Sequence, residues 1–74
     1  MIKCHLSRLL GEKRIRPAEI HRDTGINKGT LSRMYNEKIV RVDLDVLDKI
    51  CEYLQCSVGE ILEYQANDPD NHSG

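Results

Sequence analysis

The sequence predicts an all-α fold of five short helices, and three observations predict it. Apolar residues recur at three- and four-residue intervals, the period of a helix with one buried face. Boundary residues punctuate these runs: Pro17, Gly25, Asn27, Asp43 and the pair Ser57 and Glu60 stand where starts and stops are needed. Strand-type alternation is scarce, and the chain has neither Phe nor Trp.

The first helix is expected over residues 2–13, because Ile2, Leu6, Leu9 and Leu10 fall at i, i+4, i+7 and i+8. Ile15 then stands where it can pack on Glu19 and Ile20 as a hydrophobic staple. The second helix starts at Pro17, whose missing N–H costs nothing at a first helical position. It ends near Thr24, because Gly25 can take the left-handed conformation that closes a helix. Asn27 is suited to cap a third helix through about Tyr35. Ile20, Ile26, Leu31 and Met34 hold this pair together, which leaves Lys28, Gly29, Thr30, Ser32, Arg33 and Asn36 outside. Residues 37–42 lack helical periodicity and read as an extended connector that turns Ile39 or Val42 into the core. Asp43 N-caps a fourth helix, residues 44–55, in which Leu44, Leu47, Ile50, Cys51 and Leu54 form the apolar stripe and Asp45, Asp48, Lys49 and Glu52 face water. Ser57 and Glu60 have the spacing of a capping box. They open a fifth helix, residues 58–64, that buries Val58, Ile61 and Leu62. The whole is one domain over residues 1–64. The polar tail 65–74 has nothing apolar to bury and is expected to be disordered.

A core in a 74-residue chain supplies only about 3–5 kcal/mol, which makes oligomerisation a useful supplement. No apolar run reaches the length of about 18 residues that a membrane span needs, and the start lacks the apolar segment of a signal peptide. A cytoplasmic protein with no membrane association is expected. The three cysteines, Cys4, Cys51 and Cys56, are an odd number without framework spacing, as suits a reducing compartment.

The net charge of −1 hides a split. Residues 1–42 carry ten Lys/Arg against four Asp/Glu, and residues 43–74 carry one against eight, so the halves hold +6 and −7. The basic half contains the second and third helices. A short helix presenting small, polar and basic residues can lie in a DNA major groove.

The order and spacing of these features resemble the Cro/C1-type (XRE-like) helix-turn-helix family of bacterial and phage regulators, in a compact single-domain form. The resemblance rests on Ile20, on Gly25-Ile26-Asn27 at the turn, and on Thr30-Leu31-Ser32-Arg33-Met34 in the third helix. Asn36-Glu37-Lys38 follows where the family usually has Asn-Gly-Lys. Further matches are Arg41-Val42-Asp43-Leu44-Asp45-Val46-Leu47 and the segments 51–54 and 56–64. The resemblance implies a five-helix lambda-repressor-like domain that binds double-stranded DNA sequence-specifically as a repressor and homodimer. Base contacts would come from Lys28, Gly29, Thr30, Ser32 and Arg33, and backbone contacts from Arg16, Asn27, Asn36, Lys38 and Arg41. Val58, Leu62, Tyr53 or Tyr64 in the acidic half would supply the dimer surface.

Three residues depart from the family pattern. Arg16-Pro17 replaces a Thr or Ser cap followed by Gln, so that phosphate contact is lost or passes to Arg16. His21 replaces a packed Ala and must tilt outward or find a hydrogen-bond partner. Gly29 has no side chain to read a base with. Cys51 and Cys56 are five apart and the histidines are scattered, so no metal or other cofactor is expected; Cys4 and Cys51 read as small hydrophobes on apolar helix faces. No nucleophile–base spacing is evident and the chain is too small for a substantial pocket, so neither catalysis nor a small-molecule ligand is expected. The competing reading is a protein–protein module, antitoxin-like or a repressor partner, acting through the acidic half.

Overall fold

Local chemistry at the helix ends sets the frame. The computed structural model describes residues 1–66 of the chain, so the tail beyond Ala66 lies outside the described residues. The elements run β1 (Ile2–Cys4), α1 (Leu6–Lys13), α2 (Pro17–Thr24), α3 (Lys28–Tyr35), α4 (Leu44–Leu54), α5 (Val58–Ile61) and β2 (Leu62–Tyr64). The core draws on every one of the helices: Leu6, Leu9 and Leu10, Ile20, Leu31 and Met34, Leu47, Ile50 and Leu54, and Ile61 are buried, together with Cys4 and Ile26.

Three helices close on a left-handed residue that carries a Cβ. Arg14 (φ 57°), Glu37 (φ 59°) and Gln55 (φ 55°) follow α1, α3 and α4, and Gly25 (φ 78°) follows α2. After α1, the Arg14 N–H donates to the Gly11 carbonyl and the Ile15 N–H to Leu10. This is the paired closure of a Schellman motif. It seats Ile15, half-buried against the core, beside α1 as well as ahead of α2.

The ends of the domain correct the sequence reading. Residues 2–4 are a strand, not the first turn of a helix, and residues 62–64 are its antiparallel partner, not the end of α5. The register pairs Ile2 with Tyr64, Lys3 with Glu63 and Cys4 with Leu62. Flanking bonds extend the ladder at both ends, His5 N–H to the Ile61 carbonyl (2.7 Å) and Gln65 N–H to the Met1 carbonyl (2.8 Å). Ile2 matched the apolar helical spacing by coincidence, since 64% of it is exposed. Cys4 is accordingly a buried strand residue. The stripe of α4 is also shorter than expected: Leu47, Ile50 and Leu54 are buried, whereas Leu44 in the first turn is 81% exposed. Asp43 precedes α4 without a side-chain capping bond, its carbonyl alone accepting from Val46 and Leu47. Val58 is exposed and only Ile61 of α5 is fully buried. The expected return bond of the Ser57–Glu60 pair does form, the Glu60 carboxylate accepting the Ser57 N–H at 2.9 Å. Ile39 and Val42 both pack partly on the core, as the connector requires.

Candidate nucleic-acid interface

The angle between α2 and α3 is fixed by a net of bonds around Gly25. The Gly25 N–H donates to the His21 carbonyl at 2.9 Å. The Thr24 hydroxyl donates to the Ile20 carbonyl (2.6 Å) and accepts from the Ile26 N–H (3.2 Å). His21 Nδ1 lies 2.7 Å from the Ile26 carbonyl; because that oxygen can only accept, Nδ1 carries the proton. His21 therefore has the partner its position demanded, and its role is to tie the helix to the turn. With Ile20, Ile26, Leu31 and Met34 all buried beneath this net, α3 is held rigidly on α2.

Asn27 caps α3 as its residue type predicts. Its Oδ1 accepts from the Gly29 N–H at 2.7 Å and the Thr30 N–H at 3.1 Å, satisfying two of the donors a helix start leaves free. The same cap explains Gly29. A Cβ there would meet Asn27 Oδ1 at 2.9 Å and Arg33 Nη1 at 3.3 Å. The missing side chain leaves room for the cap and for the Arg33 guanidinium, which folds back over the first turn and donates to the Thr30 hydroxyl at 3.4 Å. Long helical side chains point toward the N-terminus in this way.

Lys28, Ser32 and Arg33 are exposed, and Gly29 and Thr30 are half-buried on the same short helix. Asn36 ends it, its Nδ2 donating to the Ser32 carbonyl at 2.9 Å. Next, Glu37 N–H donates to Met34 (3.2 Å) and Lys38 N–H to Arg33 (2.8 Å), a second Schellman closure with Glu37 in the left-handed position. Lys38 is thereby anchored through its backbone while its side chain stays exposed. At the other rim Arg16 precedes α2, and its N–H donates to the Glu19 carboxylate at 2.9 Å.

An open groove of about 290 Å³ runs between the start of α2 and the outer face of α3, lined by Pro17, Ala18, Lys28, Leu31, Ser32, Tyr35 and Asn36. It joins three of the residues singled out from the sequence, Lys28, Ser32 and Asn36. It also adds Ala18 and Tyr35, which sequence reasoning passed over. Tyr35 could have been found, because Lys28, Ser32 and Tyr35 stand at i, i+4 and i+7 and share one face. Arg41 stands apart from this group, in a groove beside Met1, Ile2, Lys3 and Leu62.

Away from α3 the polar contacts tie elements together. The Tyr53 hydroxyl on α4 donates to Asp23 on α2 at 2.5 Å. The Arg22 guanidinium, and then this hydroxyl, hold the Asp23 carboxyl at about 2. His5 Nε2 lies 2.6 Å from Glu63 Oε1 and lowers the pKa of that carboxyl. Among the described residues no three His, Cys, Asp or Glu side chains are grouped to hold a metal ion, and no helix there is long and apolar enough to cross a membrane.

Two helices locked across a left-handed glycine, the second offering a basic and polar outer face, define a helix-turn-helix DNA-binding domain. The chain belongs to the Cro/C1-type HTH DNA-binding domain family, whose model matches residues 5–67. It is 32% identical over 60 residues to the uncharacterized HTH-type transcriptional regulator YozG of Bacillus subtilis, covering 81% of this chain and 71% of that one. Its fold is similar to the crystal structure of the transcriptional regulator VanUg, with a TM-score of 0.70, 29% identity and 89% of each chain covered. A candidate DNA-binding protein of Bacteroides fragilis shares the fold at a TM-score of 0.73 and 24% identity, over 85% of this chain and all of that one.

Proposed function

We propose that the protein is a transcriptional repressor that reads a specific double-stranded DNA sequence by laying α3 in the major groove. The observation that carries this reading is the outer face of α3, which Arg33, Lys28 and the hydroxyls of Thr30 and Ser32 share on a helix braced by the Gly25 turn. Arg33 and Lys28 are the direct readers, and Arg paired bidentately with guanine gives about 1–3 kcal/mol of discrimination. Thr30 and Ser32 reach a base edge or a phosphate, and Gly29 lets the helix approach closely. Arg16, the side-chain amide nitrogen of Asn27, Asn36, Lys38 and the Tyr35 hydroxyl contact phosphates along the rims of the groove. Arg41 takes a phosphate farther from the helix axis.

The protein acts as a homodimer on half-sites one helical turn, about 34 Å, apart. Support comes from the cross-strand pair Ile2 and Tyr64, apolar and exposed on one face of the β1–β2 ladder, with Val58 also exposed nearby in sequence. Tyr53 is taken out of that surface by its bond to Asp23. No catalytic step or cofactor is part of this reading, and it places the protein in the cytoplasm.

Charge reversal of Lys28 and Arg33 tests it, with circular dichroism to verify the fold. Loss of binding to a duplex selected from a random pool is the expected result. Unchanged binding, with the fold intact, would overturn the assignment of α3 as the reader, and a wild-type protein that selects no duplex would favour a protein partner on the acidic half.

A further inference from the structure

The C-terminus of α4 holds two cysteines in a geometry that the DNA-binding reading does not use. Gln55 adopts φ 55° and ψ 53°, and the Cys51 carbonyl accepts both the Gln55 N–H and the Cys56 N–H, the latter at 3.1 Å. A bond from the sixth residue back to the first, around a left-handed residue, sets the side chains of those two residues side by side, where an apolar contact frequently forms. Here both positions are cysteine, free, half-buried and packed against the core. Burial pushes the Cys56 thiol up, and the neighbouring Cys51 pushes it further. The third cysteine, Cys4, is buried on β1, a separate element.

We propose that Cys51 and Cys56 form a dithiol that closes reversibly to an intramolecular disulfide across the C-terminal cap of α4, with a small-molecule disulfide of the glutathione type as oxidant. One cysteine thiolate attacks the small disulfide, making a mixed disulfide and releasing one small thiolate, which takes up the proton lost by the attacking thiol. The neighbouring thiolate then attacks the protein sulfur of that mixed disulfide and expels the second small thiol. Two protein thiols are oxidised and one small disulfide is reduced to two thiols. A disulfide requires Cα atoms about 4.4–6.8 Å apart, and the 3.1 Å bond from the Cys56 N–H to the Cys51 carbonyl holds the two backbones close enough to be compatible with that range. The bridge would join the last turn of α4 to the residues leading into α5, and so fix the corner between these two helices.

Mass spectrometry of the full chain treated with oxidised glutathione under native conditions tests the proposal. The expected product has lost two hydrogens and carries no adduct. Cleavage after Glu52, which lies between the two cysteines, leaves the two fragments joined until a reductant is added, and Cys4 remains open to alkylation once the chain is unfolded. In Cys56→Ser the two-hydrogen loss disappears and a glutathione adduct persists on Cys51. A wild-type product that keeps its adducts without losing hydrogens would overturn the proposal. So would a bridge that includes Cys4, or a disulfide between two chains.

Discussion

Replacing Glu37 with Gly should raise both the stability of the domain and its affinity for DNA, by separable routes. Glu37 closes α3 at φ 59°, where a residue with a Cβ carries a cost of about 1–2 kcal/mol. Glycine removes that cost but gives the unfolded chain extra backbone freedom worth about 0.5–1 kcal/mol. The balance favours Glu37→Gly by roughly 0.5–1 kcal/mol. At about 4–8 °C per kcal/mol for a domain of this size, Tm should rise by about 2–8 °C. Glu37→Ala is the control, because it removes the same carboxylate while keeping the Cβ, and it should leave Tm close to wild type. Both variants delete a negative charge next to Lys38, so both should tighten DNA binding equally, and more at low salt. Thermal unfolding followed by circular dichroism, beside DNA titrations at two salt concentrations, separates the effects. A Glu37→Gly protein no more stable than Glu37→Ala would refute the claim that the backbone at this position is strained.

Asn27→Ala should lose about 1 kcal/mol of stability in urea unfolding, because it removes the acceptor of two helix-start N–H groups. Asn27→Asp keeps the acceptor and should stay folded, yet bind DNA more weakly through repulsion from phosphate. Ile50→Ala should cost about 2–5 kcal/mol, comparable to the whole stability expected of so small a core, and should leave the chain largely unfolded by circular dichroism. Asp23 gives a pH signature. Its pKa is lowered from 3.8 to about 2 in the folded protein, so its stabilising effect is complete above 3.8 and is lost as pH falls toward 2. The gap in urea midpoint between wild type and Asp23→Asn should therefore close across that window; a gap that stays constant would contradict the assignment.

The helix pair was legible because its signals are local. Pro17, Gly25 and Asn27 each act on their own backbone or on residues two or three away, and all three perform as their chemistry dictates. The two strands were not legible, since three-residue segments acquire their identity only by pairing across some sixty positions. Ile2 and Leu44 fit a helical stripe by spacing alone, but both lie at element ends where the core does not reach. Within the interface the sequence supplied the residues but not their grouping. Pairing of the Gly29 gap with the Arg33 guanidinium depends on a side chain folding back along α3. The position of Arg41 depends on how the connector passes β1. Tyr35 was overlooked as a mere terminus, although its spacing from Lys28 and Ser32 carried the information. Cys51 and Cys56 looked unrelated because their spacing fits no metal motif; the left-handed cap that brings them together is formed by Gln55, a residue type that does not announce it.

The central claim, that α3 reads DNA, is tested most directly by titrating the protein and its Arg33→Ala variant onto pool-selected and scrambled duplexes across a salt series. Wild type should prefer the selected duplex, with affinity falling linearly in log–log form at a slope near −0.9 for each phosphate contacted. Arg33→Ala should lose about 1–3 kcal/mol on the selected duplex and little on the scrambled one. Absence of binding to every duplex at about 50 mM salt, where phosphate contacts are strong, would contradict the account, as would an equal loss on both duplexes.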